Sequence, residues 1–360
     1  MRGTLERFFI TLAAIVLALV LFSIFVAIAG YSPRDVFELL YKGGFGSSFS
    51  WNNTLQRAAP LILTGLAVAL PARAGLVIIG GEGAMVLGGL AAAIMGVWGP
   101  TSSPLLSQIL MLLSGVIVGG VWIGLCGWMR HARGINETIS SLLMAYIGIA
   151  LLNHFVEGPL KDPASLNKPS TPPIPDVNML GLTPGFDVHM GLLIGVVVAL
   201  IAWLILSFTT TGFSLKVVGG NPRAAQLAGL RVGTWIIAAC AAGGACAGLA
   251  GAIEVAAVHG AANASLISGY GHAGILIAFM ARQNPLAITP VAILIGGIGA
   301  AGGMLQRRLD MPDATVMVLQ GMAFISILAS EATVGSNWRS IAQRLWGIDP
   351  LPTPAGEKKA

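Results

Sequence analysis

Glu82 and Glu254 are ionisable side chains set well inside long apolar runs. A charge at the centre of a bilayer costs about 2.5–3.5 kcal/mol on insertion scales, so each must face protein or water. Carboxylates in that position can hold a polar solute on a path, relay a proton, or cap backbone amides. Glu82 stands among Gly80, Gly81 and Gly83, where a helix break would present amides to it. A handle on a translocation path and a structural cap both fit. Glu254 lies near the outer end of its run, where hydrogen-bonded packing and a path role are both open. Asn153, beside His154, could touch a sugar or a base, or form a satisfied core pair. His259 and His272 flank an Asn/Ser turn without a second ligand at metal spacing. No nucleophile–base pair falls within the apolar runs.

A second kind of chemistry is docking. The stretch 212–230, GFSLKVVGGNPRAAQLAGL, is a polar, basic island between two uncharged runs, 189–208 and 232–253. Each run is about 20 residues, enough at about 1.5 Å per residue for a ~30 Å hydrocarbon core. The island must sit at a membrane face. Lys216, Arg223 and Arg231, with no acidic residue among them, place that face in the cytoplasm by the positive-inside bias. Asn221-Pro222 followed by Arg223, Ala224, Ala225 and Gln226 reads as a helix cap, a first-turn proline and a short helix. A short helix held in a cytoplasmic loop is a surface that another protein can grip.

The elements that must carry these residues follow from composition. Of 360 residues, 55% are hydrophobic and 10% charged, and mean hydropathy is +0.82. Soluble domains carry roughly 25% charge, so this is an all-α polytopic membrane protein. The 48 glycines suit helices packed closely in lipid. A net charge of +5 reflects loop Lys and Arg and implies no nucleic-acid partner. Cys126, Cys240 and Cys246 all lie in apolar segments and read as small buried residues. None of the six lysines stands in a GxxxxGK[ST] phosphate loop, so the chain cannot cradle ATP itself.

Uncharged runs predict about ten spans, near 8–30, 57–71, 75–97, 105–129, 136–155, 189–210, 233–257, 271–281, 285–305 and 314–330. The N-terminal run is too long for a signal peptide and reads as a first span entering from the cytoplasm. Pro60 and Pro71 bracket the short second span. Asn136-Glu137 reads as a helix cap with a favourable first-turn charge. Residues 157–188 hold seven prolines, so they form an external loop, either functional or a spacer. Residues 271–281 are short for a crossing. If they are re-entrant, Arg307 and Arg308 fall inside, and the basic group Arg339, Arg344, Lys358 and Lys359 falls outside. Ten spans place both termini in the cytoplasm, giving one permease domain over 1–350, a coupling loop at 212–231 and a tail at 351–360.

Several segments together resemble the permease subunits of ABC importers for simple sugars and nucleosides, chiefly the longer permease that works with basic-membrane-lipoprotein-type binding proteins. The resemblance runs from about residue 57 onward. It rests on GINETISSLLMAY at 134–146, GPLKDP at 158–163, GGNPRAAQLAG at 219–229, AGLAGAIE at 247–254, GYGHAG at 269–274, RQNP at 282–285 and LQG at 319–321. One departure stands out. At 78–84 the chain reads IIGGEGA where the family has NIGAEGQ, so two polar side chains are replaced. The resemblance implies a multi-pass permease of the cell (inner) membrane with no catalysis of its own. Gly219, Gly220, Asn221, Pro222, Arg223, Ala224, Ala225 and Gln226 would form the ATPase-coupling segment; Glu82, Asn153 and Glu254 would border the path. ATP and Mg would be held on a partner ATPase. Other partners would be membrane lipid, a second permease of different sequence and an extracytoplasmic solute-binding protein. Nucleosides or purine-like bases are the first expected solutes, simple sugars the second. The rival reading is a proton-coupled secondary transporter using Glu82 or Glu254.

Overall fold

The computed structural model describes residues 2–100, 103–183, 187–312 and 314–333. The C-terminal basic group and the tail at 351–360 lie outside the described residues. Thirteen α-helices account for most of the described chain. In order they are α1 (Arg2–Ile28), α2 (Pro33–Phe45), α3 (Ser48–Arg73), α4 (Gly81–Trp98), α5 (Pro104–Arg133), α6 (Glu137–Glu157) and α7 (Gly191–Phe208). There follow α8 (Thr210–Gly220), α9 (Pro222–Leu227), α10 (Val232–Glu254), α11 (Tyr270–Met280), α12 (Pro285–Leu309) and α13 (Ala314–Thr333). Among the described residues β-structure is limited to two isolated bridges, Ser170 with Asn263 and Leu182 with His189.

Every apolar run expected to cross is helical, but fewer helices are long enough to cross alone. Seven qualify: α3, α4, α5, α6, α7, α10 with its π-helical extension to His259, and α12. The pair α1 and α2, bent by 117°, makes an eighth if it counts as one span. The eleven residues of α11 reach only about 16 Å, half a hydrocarbon core.

Three boundaries differ from expectation, each for a local reason. Helix α3 begins at Ser48, well before residue 57, because Ser47 Oγ accepts the Ser50 amide at 3.1 Å and starts it early. Pro60 and Pro71 lie inside that helix and do not bracket it; neighbouring helices tolerate such prolines in membranes. The run beginning near 75 stays extended until α4 opens at Gly81. The island at 212–231 is not a loop. Residues 210–220 contain no proline and are helical despite Gly212, Gly219 and Gly220, and α8 stops where Asn221 turns extended at φ −153°.

The core is a seam of glycine and alanine where α10 packs against α5 and α4. A Cβ at Gly251 would stand 1.8 Å from the Met85 carbonyl oxygen, so only glycine permits that approach. The cysteines are buried, as their apolar settings suggested.

The bundle has two distinct ends. At one, Arg73 Nη2 donates to the Gln283 carbonyl at 3.1 Å, Arg130 pairs with Glu137, and α8 rests on the α3–α4 junction. Arg73, Arg130 and Arg133 in the last turns of α3 and α5, Lys216 in α8, Arg223 in α9, and Arg231 and Arg282 in the connections all belong to this basic end. At the other, residues 170–180 are laid across 256–263. Thr171, Ile174 and Leu180 amides donate to the carbonyls of Ala262, Gly260 and Ala256 at 3.0, 2.7 and 2.8 Å. Gln56 reaches the Asp187 carbonyl there, at 3.2 Å. The Pro-rich segment is therefore a fitted cover and not a loose spacer. Continuous α12 carries Arg307 and Arg308 at its final turn, far along the helix from Gln283 and the basic end.

Candidate functional site

The extended link 76–80 is pinned before α4 begins. Val77 donates its amide to Glu137 at 3.4 Å and accepts from the Thr138 hydroxyl at 2.9 Å; the Ile79 amide donates to Ser141 Oγ at 3.1 Å. Glu137 also pairs with Arg130, and Asn136 caps α6 through the Thr138 and Ile139 amides. This clamp sets where α4 starts and so where Glu82 points.

Glu82 occupies the first turn of α4 and is fully buried. Its Oε1 accepts the Gly269 amide at 2.8 Å and its Oε2 the Gly271 amide at 2.6 Å, at the opening of α11. His272 Nδ1 lies 3.8 Å from Oε2. One carboxylate thus serves the amino ends of two helices, where their positive dipole ends favour negative charge. The arrangement is that of a shared cap joining α4, which is long enough to cross, to the short α11.

Beside it lies a cavity of about 500 Å³ between α3, α11, α12 and α13. Its polar lining includes Arg57, Ser268, Tyr270, His272 and Gln320, set in a largely apolar wall that includes Phe324. The Ser268 hydroxyl oxygen is buried without a hydrogen-bond partner. Glu254 is buried at the end of α10, 3.5 Å from His259 Nε2. Asn153 is half-buried on α6, with the neighbouring His154 ring edge-on to Phe155 at 5.6 Å. Neither Glu254 nor Asn153 borders this cavity, and Glu82 reaches its lining through Gly269 and His272. Sequence reasoning missed Arg57, Tyr270 and Gln320. Arg57 follows the polar first part of α3, SFSWNNTLQ, and is exposed, so its sequence setting gave no signal comparable to that of the fully buried Glu82.

At the basic end, Asn221 Oδ1 accepts the Arg223 and Ala224 amides at 3.0 and 3.1 Å and caps α9. Ala225 is fully buried with Val218 and Val232, which fixes the helix against its base. Arg223, Ala224 and Gln226 face outward, and Leu227 is 92% exposed. An apolar side chain that open, at the tip of a capped helix, was also missed. The base of the island reaches inward through Gly219, where a Cβ would stand 2.4 Å from the Arg73 carbonyl oxygen. The α8 backbone therefore lies directly on the link that leads to Glu82. Among the described residues no cluster of three His, Cys, Asp or Glu could hold a metal ion.

An apolar bundle with seven described helices long enough to cross, a side cavity and a capped surface helix has the build of a multi-pass membrane protein. Residues 50–328 match the family described as the permease component of branched-chain amino acid transport systems, and the chain belongs to that family. A glucose ABC transporter permease protein of Haloferax volcanii is 32% identical, over 83% of this chain and 81% of its own length. A guanosine ABC transporter permease protein of Bacillus subtilis is 29% identical, over 91% and 95%. A nucleoside ABC transporter permease protein of Lactococcus lactis is 28% identical, over 92% and 98%. The protein is an ABC permease with nucleoside and sugar transporters among its relatives. The family does not favour the rival secondary-transporter reading.

Proposed function

We propose that this chain is one transmembrane half of an ATP-driven importer for a nucleoside or purine-like solute, with a simple sugar as the next choice. It has no catalysis of its own. A partner ATPase, holding ATP and Mg, docks at the basic end, and a second permease of different sequence completes the path. A solute-binding protein delivers cargo at the covered end formed by 157–188. The basic end faces the cytoplasm, as its arginines and lysines require under the positive-inside bias. Ten crossings result if α1, α11 with its preceding turn, and α13 each traverse, which leaves both termini in the cytoplasm.

The observation that carries this reading is helix α9. Its inner face is buried through Ala225, its tip presents Leu227, and its base rests through Gly219 on the link to Glu82. Closure of the ATPase pair would push this knob, shift α8 against residues 73–75, and tilt α4 and α11, which Glu82 holds together. The solute preference draws on the guanosine and nucleoside permeases, which align over nearly their full lengths.

The docking is tested by Leu227→Cys. All three native cysteines are buried, so this thiol would be the accessible one. In the assembled complex a short bifunctional crosslinker is expected to join this position to the ATPase subunit, with yield that changes on adding ATP. Crosslinks to lipid-facing or external partners only would remove α9 from the ATPase interface.

A further inference from the structure

The cavity between α3, α11, α12 and α13 has a composition that reads one kind of cargo. Its wall is mostly apolar and includes Phe324, Tyr270 and His272. A sugar alone presents hydroxyls around its whole rim and needs polar partners on many sides. A flat heterocycle needs broad apolar or aromatic faces and a few polar groups at one edge. The volume of about 500 Å³ lies in the range of small-molecule pockets, roughly 300–1,000 Å³.

Arg57 supplies the edge contact. It lines the cavity from the outer part of α3 and is an exposed residue, so its guanidinium is open to an incoming solute. Among the described residues no carboxylate lies within 4.0 Å of it. It interacts with Tyr270 and, at longer range, with the charge of Glu254. A guanidinium has five N–H donors in a fixed fork, so a bond to Tyr270 leaves most of them free. The unpartnered Ser268 hydroxyl and the Gln320 amide add further polar groups on the same lining. A planar donor fork matches two adjacent acceptors, the O6 and N7 atoms of a 6-oxopurine.

From this lining we infer that the cavity is a station for 6-oxopurine nucleosides, with Arg57 donating to the base edge and the aromatic side chains covering its faces. The inference rests on the nucleoside reading above and sharpens it to one base chemistry.

The test uses the full complex with its ATPase, second permease and binding protein in vesicles. ATP-driven uptake of guanosine, adenosine and ribose is measured at concentrations that saturate delivery. Arg57→Lys keeps the charge but loses the fork, and is expected to lower guanosine uptake about tenfold or more while adenosine uptake changes less than about threefold. Arg57→Gln is expected to shift the guanosine-to-adenosine ratio toward adenosine, because a side-chain amide matches the adenine edge. A purely structural arginine would not produce that shift. Equal loss of both nucleosides in the two variants, or no loss in either, would overturn the assignment and leave the nucleoside reading standing. Uptake of ribose but of neither nucleoside by the unaltered complex would overturn both.

Discussion

Leu227→Asp combined with Arg223→Glu is expected to reduce ATP-driven uptake about tenfold or more, while the permease still inserts and folds. Leu227 is 92% exposed and Arg223 faces outward, so neither side chain contributes to the island's own packing. If α9 seats in a groove on the ATPase, the exchange forfeits roughly 1.5–3 kcal/mol of leucine burial. It also forces a carboxylate into a desolvated contact, at several kcal/mol more. Each 1.4 kcal/mol is a factor of ten, so docking at this point would weaken at least about a hundredfold. ATP hydrolysis by the partner should persist, uncoupled from transport. Ala225→Asp provides the contrast. It places a charge between Val218 and Val232, and should lower the thermal unfolding temperature of the purified permease along with uptake. Coupled uptake at the original rate in the Leu227/Arg223 variant would show that this tip is not gripped.

Glu82→Leu should be the most damaging single change within the bundle. The carboxylate accepts two amides, from Gly269 and Gly271, at 2.8 and 2.6 Å in a fully buried setting. Its removal leaves the buried Gly271 N–H unsatisfied, at roughly 1–3 kcal/mol, and strips the partly buried Gly269 N–H of its partner. The amino end of α11 would lose its hold on α4, and the cavity wall carrying Tyr270 and His272 would lose its position. A fall in thermal unfolding temperature and uptake at background are expected. Glu82→Gln retains one good acceptor and should lie between the two. Near-normal stability in Glu82→Leu would show that α11 is held by packing alone. Near-normal stability combined with lost uptake would instead assign Glu82 to the path itself.

What the sequence revealed and what it concealed divide along the range of the interactions. The cap of α9 was legible because Asn221, Pro222 and the amides they serve are neighbours. The same holds for Asn136 at the head of α6. The role of Glu82 was not decidable, because its donors were unknown: the amides it accepts lie 187 and 189 residues away. Arg57 was overlooked for a different reason. It is an exposed residue at the end of the polar first part of α3, next to Gln56, which reaches the external segment. Only the cavity shared by α3, α11, α12 and α13 singles it out, and that grouping joins residues far apart in the chain. The fold of the Pro-rich segment was equally hidden. Seven prolines exclude a helix but do not reveal that Thr171, Ile174 and Leu180 find carbonyls on 256–262. Leu227 escaped notice because an apolar residue in a basic island looks unremarkable until its exposure is known.

The central claim is that transport here is driven from outside the chain, through the knob capped by Asn221. Concentrative solute uptake into vesicles tests it most directly, comparing the permease alone under an imposed pH gradient with the permease assembled with its ATPase, second permease and binding protein. Accumulation is predicted only for the assembled complex, and only with ATP. Accumulation by the chain alone, driven by the proton gradient, would contradict the account.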